Sequence, residues 1–332
     1  MFVRLIILFA LIDIALKSSA QDIHFSQFFN SPINLNPALT GQFNGDYRFV
    51  GNYRNQWQSV TTPYRTIGLS ADVHNLFQKN NIHSGIAIYN DKTGDSRFGT
   101  FLLNVSGAYS ISVSSDSNQF ITVGIQTGFT QRSINYSALN FDKQYNGIAY
   151  DPNLTNGEEF INDGRTWINL NTGIAYTYFI SSRNTITSGL SFSNLTAPKQ
   201  TFFTNNDIKL DRRILLHGEA GIFISQKFDA LPAFQFQLQG KYRELNIGGA
   251  ARYFYTADLA LYGGFYYRNK DAGYLRVGVD YDNIHTSVTY DFNTSSLRPA
   301  SNSRGGIEVG IVYIFKQFRP KFVKHKICPN YI

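Results

Sequence analysis

Cysteine and long apolar segments are almost missing from this sequence. One of its 332 residues is cysteine, Cys328, so an intramolecular disulfide framework is excluded. A lipid-anchored protein would need a cysteine directly after a signal peptide, and none stands there. Beyond the N-terminal region no apolar run reaches about 18 residues, which excludes a transmembrane helix in the rest of the chain.

Residues 1–20 have the three-part pattern of a secretory signal peptide. A short basic start precedes an apolar run over residues 5–16, and small residues then precede Gln21. Asp13 interrupts the apolar run, which leaves a buried N-terminal helix as the alternative. The pattern predicts an exported protein whose mature chain starts near Gln21.

Signatures of catalysis and cofactor binding are also missing. The six histidines do not combine with each other or with Cys328 at the spacing of a zinc site. There is no G-x-S-x-G elbow, phosphate-binding loop or dinucleotide fingerprint. Residues 151–162 partly resemble the calcium-binding loop of an EF-hand. However, the glycine comes one position late, and Asn162 stands at the position where that loop needs a glutamate. His217 and Glu219, two residues apart on one strand face, leave an acid–base pair as a minor alternative. We expect no enzyme activity, no metal and no cofactor.

The charge balance is basic but dispersed. The net charge is +7, from 30 basic and 23 acidic residues. A nucleic-acid-binding protein would concentrate its cations in one patch around a recognised module. Here the cations are scattered through alternating segments, apart from those after residue 315. The sequence therefore predicts no nucleic acid partner.

What the sequence does contain is strict alternation of apolar and polar residues. In residues 234–243, Phe234 and Phe236 fall on one side of an extended chain and glutamines fall on the other, the signature of a strand with one apolar face. The pattern recurs in about fourteen segments, many near the 9–11 residues that a tilted strand needs to cross a bilayer. Aromatic residues, at 15%, fit an interfacial girdle.

The connections between these segments alternate in length. The longest, 134–166, 195–214 and 293–305, fall at odd-numbered hairpins, and most even-numbered hairpins are short. Outer-membrane barrels have long external loops and short periplasmic turns. The sequence therefore predicts an all-β, antiparallel transmembrane β-barrel of about fourteen strands in the outer membrane. A secreted β-sandwich is the alternative, because its half-buried strands alternate in the same way.

This topology predicts the domain layout. A periplasmic N-terminal segment would span residues 21–45, the barrel 46–315 and a basic periplasmic tail 316–332, with both termini in the periplasm. Gly310, Tyr313 and Phe315 have the spacing of an outer-membrane assembly signal. The tail cations are candidate contacts for a periplasmic partner, and docking or disorder of the tail stays open: Lys316, Arg319, Lys321, Lys324 and Lys326.

Several motifs carry a family resemblance. The start, Phe25-Ser26-Gln27 with Asn36-Pro37-Ala38 and Gly41, resembles the mature start of the PorP/SprF family. So do Arg54-Asn55-Gln56-Trp57 before Pro63, Asn90-Asp91-Lys92-Thr93-Gly94, Tyr290-Asp291-Phe292 and Cys328-Pro329. The family often shows a His-Glu pair before the last strand, where this sequence has Ile307-Glu308.

The resemblance implies an outer-membrane component of the type IX secretion system of gliding Bacteroidetes-type bacteria. It implies a non-enzymatic partner of one secreted cell-surface adhesin, needed for the export or anchoring of that adhesin. The predicted contacts with the C-terminal domain of the adhesin are the lumen-facing polar residues: Arg48, Arg54, Gln235, Gln237, Gln239, Lys241 and Arg243.

Two other functions stay open at the level of sequence. A barrel of this size leaves an aqueous lumen unless loops or a guest fill it, so a diffusion channel or transporter with a basic lumen is the main alternative. An outer-membrane hydrolase would rest on His217 and Glu219 alone.

Overall fold

The computed structural model describes residues 22–58, 62–78, 81–157, 162–202, 208–295 and 298–317. The predicted signal peptide therefore lies outside the described residues. So do most of the predicted tail contacts, namely Arg319, Lys321, Lys324 and Lys326, and also Cys328.

The chain forms a closed barrel of fourteen antiparallel strands, which confirms the predicted fold. Each strand pairs with its neighbours in sequence, and β14 closes the ring against β1. The strands are β1 Tyr47–Gln56, β2 Tyr64–Val73, β3 Ile82–Thr93, β4 Phe98–Ser112, β5 Gln119–Ser133, β6 Gly164–Phe179, β7 Thr185–Ser193, β8 Arg213–Ser225, β9 Phe228–Gln239, β10 Tyr242–Phe254, β11 Leu259–Arg268, β12 Ala272–Tyr281, β13 Ile284–Asn293 and β14 Arg304–Phe315.

Helices are minor elements of this fold. The part of the chain that the structure describes has two single-turn α-helices, α1 Pro32–Leu35 inside the barrel and α2 Arg298–Ser301 between β13 and β14. Short 3₁₀ turns lie at Phe28–Asn30, Pro37–Leu39, Leu76–Gln78, Tyr136–Ala138 and Asp142–Gln144. Among the described residues, no helix is both long enough and apolar enough to cross a bilayer.

The two faces of the wall are inverted relative to a water-soluble protein. On β5, Ile125 is 58% exposed, whereas the next residue, Gln126, is 4% exposed. Because side chains alternate along a strand, the same contrast repeats around the ring, with apolar residues outside and polar residues inside. A soluble sandwich would bury its apolar face instead. The arrangement is that of a barrel surrounded by lipid.

The two ends of the barrel carry different connections. We call the end that carries the connections 134–163, 194–212 and 294–303 the long-loop end, and the opposite end the short-turn end. The predicted grouping of the three longest connections at one end is confirmed.

The stretch at residues 234–243 is not one strand. β9 ends at Gln239, a two-residue turn at Gly240 and Lys241 follows, and β10 begins at Tyr242. Gly240 takes the turn in the left-handed region, at φ +56. The turn shifts the alternation by one residue, so Arg243 is the Cα partner of Leu238 and shares its outer face. The prediction that Arg243 faces the lumen is therefore wrong.

Candidate functional site

The lumen is occupied by the chain itself. Residues 22–46, which we call the luminal segment, lie inside the barrel, and Ser26, Gln27, Asn36 and Ala38 are fully buried there. Hydrogen bonds from the luminal segment reach strands on all sides of the wall. The prediction of a separate periplasmic segment over residues 21–45 is therefore wrong for the residues described.

Apolar residues of the luminal segment supply about half of the core, and inner-wall residues supply the rest. Phe28, Leu35, Ala38 and Leu39 pack against alanine, leucine and tyrosine side chains of the inner wall. Phe25 and Ile33 form a second cluster with β3. The inner wall alone is too polar to form a dry core, so the luminal segment provides the apolar surface. The wall residues of the first cluster are Ala175, Leu215, Ala233, Tyr266 and Tyr274.

Buried charges hold the start of the luminal segment. The Glu308 carboxylate accepts hydrogen bonds from the backbone N–H groups of Ser26, at 2.8 Å, and Gln27, at 2.9 Å. The Ser26 hydroxyl donates to Asp291 at 3.0 Å, and the Ser26 carbonyl accepts from the Tyr274 hydroxyl at 2.7 Å. A fully buried dipeptide is thus bonded on both its donor and its acceptor sides.

Two arginines neutralise these carboxylates. Arg268 donates to Asp291 at 2.7 Å, and the Arg54 guanidinium lies 3.5 Å from Asp291 and 3.9 Å from Glu308. Arg54 also donates to the His24 carbonyl at 2.6 Å. Buried charges are tolerated when they are paired and hydrogen-bonded in this way. We call the set the anchoring cluster: Ser26, Gln27, Arg54, Arg268, Tyr274, Asp291 and Glu308.

The middle of the luminal segment lies against a smooth patch of wall. Asn36 caps its own turn by accepting from the Ala38 N–H at 2.9 Å, and it donates to the Ile174 carbonyl at 3.1 Å. A Cβ atom at Gly124 would lie 2.3 Å from Pro37, and one at Gly173 would lie 1.9 Å from the Asn36 oxygen. These two glycines are Cα partners on β5 and β6. Only glycine at both positions lets the luminal segment approach the wall this closely.

The end of the luminal segment is held by an arginine–aspartate pair. Arg48 contacts both carboxylate oxygens of Asp72, at 2.6 and 3.0 Å, and donates to the Leu39 carbonyl at 3.0 Å. The Gly41 N–H donates to the same aspartate at 2.7 Å. The luminal segment then joins β1 at the short-turn end, where Asp46 donates its N–H to the Phe315 carbonyl.

The first described residue lies toward the opposite end. The Asp22 N–H donates to Gln239, the last residue of β9, and the Asp22 carboxylate accepts from Asn194, just after β7. Both partners lie toward the long-loop end, whereas Phe315 lies at the short-turn end. Asp22 and Phe315 thus lie toward opposite ends of the barrel.

A cavity of about 1020 Å³ lies above the luminal segment, on the side of the long-loop end. We call it the vestibule. It extends to the turn residues Trp57 and Lys270, and its floor is made by Asp22, Ile23, His24 and Asn34. Amide and hydroxyl side chains make up much of its wall: Thr66, Thr100, Asn104, Gln126, Thr130, Asn169, Asn171, Ser193 and Asn194.

One side of the vestibule combines a cation with two aromatic rings. The Arg132 guanidinium lies 5.4 Å from the ring centroid of Phe98 and 5.3 Å from that of Trp167. Its Nη1 donates to Gln200 at 2.7 Å. Arg132 Nε, Trp167 Nε1, Asn104 Oδ1 and Asn169 Oδ1 have no hydrogen-bond partner among the described residues. Buried polar groups are normally paired, so this wall carries donors and acceptors that a ligand can use.

Most of the predicted lumen contacts face inward, but several serve the luminal segment. Arg48 and Arg54 hold it as described, and Gln239 accepts from the Asp22 N–H. Gln235 and Gln237 are buried and bond to each other at 3.2 Å. Lys241 lies in the exposed β9–β10 turn at the long-loop end. These residues do not form one surface open to a guest.

The predicted assembly residues lie on β14 where the ring closes. Tyr313 stacks on Phe49 and Phe315 contacts Tyr47, on the outer face of the β1–β14 seam. Gly310 faces inward, and a Cβ atom there would lie 2.9 Å from the Gln27 side chain. Of the tail contacts, Lys316 is described and is exposed at the short-turn end.

The remaining sequence candidates do not form a reactive site. The His217 Nε2 accepts a hydrogen bond from the Asn36 side-chain amide at 3.1 Å, and no hydrogen bond or ion pair joins His217 and Glu219 among the described residues. In the loop that echoes a calcium site, Asp151 accepts from the Asn153 N–H and closes a local turn. The described residues contain no group of three or more potential metal-ligating His, Cys, Asp or Glu side chains.

Sequence reasoning missed most of the anchoring cluster. Arg268 and Tyr274 lie in segments that the sequence identifies only by their alternation, and Asp291 and Glu308 appear there only as members of family motifs. The available signal was the number of acids at inward positions of strands, since charges inside a barrel need partners.

The sequence profile of one protein family, described as "Type IX secretion system membrane protein PorP/SprF", matches residues 17–313. No curated protein matches the chain.

Solved barrels resemble the structure only in outline. The CymD monoaromatic hydrocarbon channel is 12% identical, with a TM-score of 0.49 over 91% of this chain and 96% of that chain. The P. putida toluene transporter TodX is 11% identical, with a TM-score of 0.47 over 85% and 93%. The KdgM porin is 8% identical, with a TM-score of 0.36 over 80% and 99%. Similarity at this level does not indicate what the chain binds.

Proposed function

The chain belongs to the PorP/SprF family of type IX secretion system membrane proteins, and from this premise we propose that it is a plugged outer-membrane receptor for a secreted cell-surface adhesin. In this proposal the vestibule and the long loops bind the C-terminal domain of the adhesin, and the barrel anchors the adhesin or helps its export. The chain acts without catalysis, metal or cofactor.

The observation that carries the proposal is the position of the luminal segment under the vestibule. A diffusion channel needs a continuous aqueous path, whereas here fully buried residues such as Ser26 and Asn36 occupy the lumen below the vestibule floor. The vestibule is therefore a recess with a floor. A recess suits a receptor better than a conduit, which favours the binding function over the channel.

The size of the vestibule limits what enters it. A cavity of about 1020 Å³ is at the upper end of ordinary ligand pockets, roughly 300–1,000 Å³. A folded domain of about 100 residues has a radius of gyration of about 13 Å and does not fit. We therefore place the body of the adhesin domain on the long loops, with an extended segment reaching into the vestibule. The unpaired groups around Arg132 and Trp167 match the alternating donors and acceptors of an extended peptide.

Orientation completes the proposal. We place the long-loop end outside the cell, where a surface adhesin resides, and Lys316 and the other tail cations in the periplasm. There they would contact components of the secretion machinery.

Affinity purification from the native cell tests the proposal. The tagged wild-type barrel is expected to retain a secreted surface protein, identified by mass spectrometry, and Arg132→Ala is expected to reduce that retention about tenfold or more. Lys227→Gln, which removes an exposed cation in a short-turn connection, serves as the matched control and should retain the partner. Recovery of no surface protein, or equal recovery with Arg132→Ala, would contradict the proposal.

A further inference from the structure

Charged residues on the strands are sorted by face. Every aspartate and glutamate on a strand lies at an inward position: Asp72, Asp91, Glu219, Asp229, Glu244, Asp280, Asp291 and Glu308. The charged residues on the outer face are all cations, and all stand within two residues of a strand terminus at the long-loop end: Arg65, Lys92, Arg243 and Arg304.

Two of these outer cations face each other. Arg65 on β2 and Lys92 on β3 are Cα partners, and both are exposed. Directly opposite residues on one face have Cβ atoms about 5 Å apart, and like charges at that spacing destabilise the pair. Neither side chain forms an ion pair or hydrogen bond with any described residue. An anion between them would remove the repulsion.

The row of laterally paired residues that contains Arg65 and Lys92 continues on the next two strands with a glycine and a serine. Lys92 is the Cα partner of Gly99 on β4, and Gly99 is the partner of Ser133 on β5. Gly99 leaves the outer surface free of a side chain between Lys92 and Ser133. The row thus presents two cations, a gap and a hydroxyl donor, which is a set of groups suited to a phosphate.

The rows below become steadily more apolar. The next outward-facing row on the same strands lies about 7 Å closer to the middle of the wall than the row of Arg65 and Lys92. It consists of Ile67, Asn90, Phe101 and Gln131. The next row is entirely apolar: Leu69, Ile88, Leu103 and Phe129. Charge, mixed polarity and apolar surface follow each other in the order of headgroup, interface and acyl chains.

We propose that Arg65, Lys92 and Ser133 hold the phosphate of an anionic lipid in the leaflet at the long-loop end, with its acyl chains along the apolar row. The proposal does not depend on the identity of the protein partner. A lipid bound there lies beside the start of β4, where Phe98 packs beside Arg132 at the vestibule wall.

Lipid binding to the folded, detergent-purified mature protein tests this site. The probe is dioleoyl phosphatidic acid, compared by native mass spectrometry with dioleoylglycerol, which has the same chains and no phosphate. Each cation near an anionic headgroup contributes about fivefold to binding, so Arg65→Gln with Lys92→Gln should weaken retention of phosphatidic acid about 30-fold. Arg243→Gln is the matched control, because this exposed outer cation lies opposite Leu238 and should not affect retention.

Three results would overturn the proposal. In the first, the double variant retains phosphatidic acid to the same extent as the wild type does. In the second, dioleoylglycerol binds as tightly as phosphatidic acid. In the third, inorganic phosphate would displace the lipid at equal concentration, which would indicate a site for free phosphate and not for a lipid. Heat-modifiable gel migration of each variant checks that the barrel is folded.

Discussion

Replacing Glu308 by alanine should release the start of the luminal segment. The Glu308 carboxylate is the acceptor for the backbone N–H groups of Ser26 and Gln27 and lies 3.9 Å from Arg54. Without it, two buried amides lose their acceptor and one buried guanidinium loses part of its neutralisation. The wall is held by its own interstrand hydrogen bonds, so the change should act on the luminal segment and leave the barrel closed.

The expected effect is large because the groups are buried. Each unsatisfied buried N–H costs about 1–3 kcal/mol, and removing one member of a buried ion pair costs about 3–5 kcal/mol. In the variant, Arg54 still has its ion pair with Asp291, and the Ser26 hydroxyl still donates to that aspartate. The expected cost is therefore at the lower end of the range for a broken buried ion pair, about 3 kcal/mol. At 1.4 kcal/mol for each tenfold, local opening should become about 150-fold more frequent.

Hydrogen exchange measures this opening directly. Peptides covering residues 22–30 should lose protection by about two orders of magnitude in Glu308→Ala, while peptides from β6 keep theirs. Glu308→Gln keeps one acceptor oxygen and should have a smaller effect. Glu219→Ala is the matched control, because this inward carboxylate has no hydrogen bond or ion pair among the described residues and should not change the exchange. Unchanged protection in Glu308→Ala would refute the role assigned to the anchoring cluster.

Two further predictions concern packing and orientation. Gly124→Val should loosen residues 32–40, because a Cβ there would lie 2.3 Å from Pro37, and faster exchange of those amides would show it. In the control, Gly107→Val, the nearest atom to the new Cβ is 3.9 Å away, so equal exchange in the two variants would contradict the fit. Protease added to intact cells should cut within residues 134–163, where Ile148 is 90% exposed, and should spare residues 316–332. Cleavage of the tail alone would invert the orientation.

The strands of the barrel wall could be predicted from the sequence because the pattern that identifies them lies within each strand. Two-residue alternation identifies a strand and its lipid-facing side without knowledge of its partner, as in β5 and β14. The turn at Gly240 and Lys241 was missed for the same reason. Its polar residues continue the alternation across the turn, so the shift that moves Arg243 outward leaves no trace in the pattern.

The contents of the lumen could not be predicted in this way. Ser26 and Asp291 are 265 positions apart, and no periodicity in residues 22–46 indicates that they meet. The signal lies in the wall, in inward glycines such as Gly124 and Gly173 and in inward acids such as Glu308. The motifs behind the family resemblance include Ser26, Gln27, Asn36, Arg54 and Asp291. In the structure each of these residues makes a contact between the luminal segment and the wall.

Conductance in planar bilayers tests most directly whether the barrel is closed by its own N-terminal residues. The wild-type protein and a variant lacking residues 22–45 are compared at equal insertion, with folding checked by heat-modifiable migration. The wild type should show no steady conductance, and the deletion should open a persistent aqueous channel through the polar lumen. Equal, steady conductance of the two proteins would contradict a plugged receptor and return the chain to the class of diffusion channels.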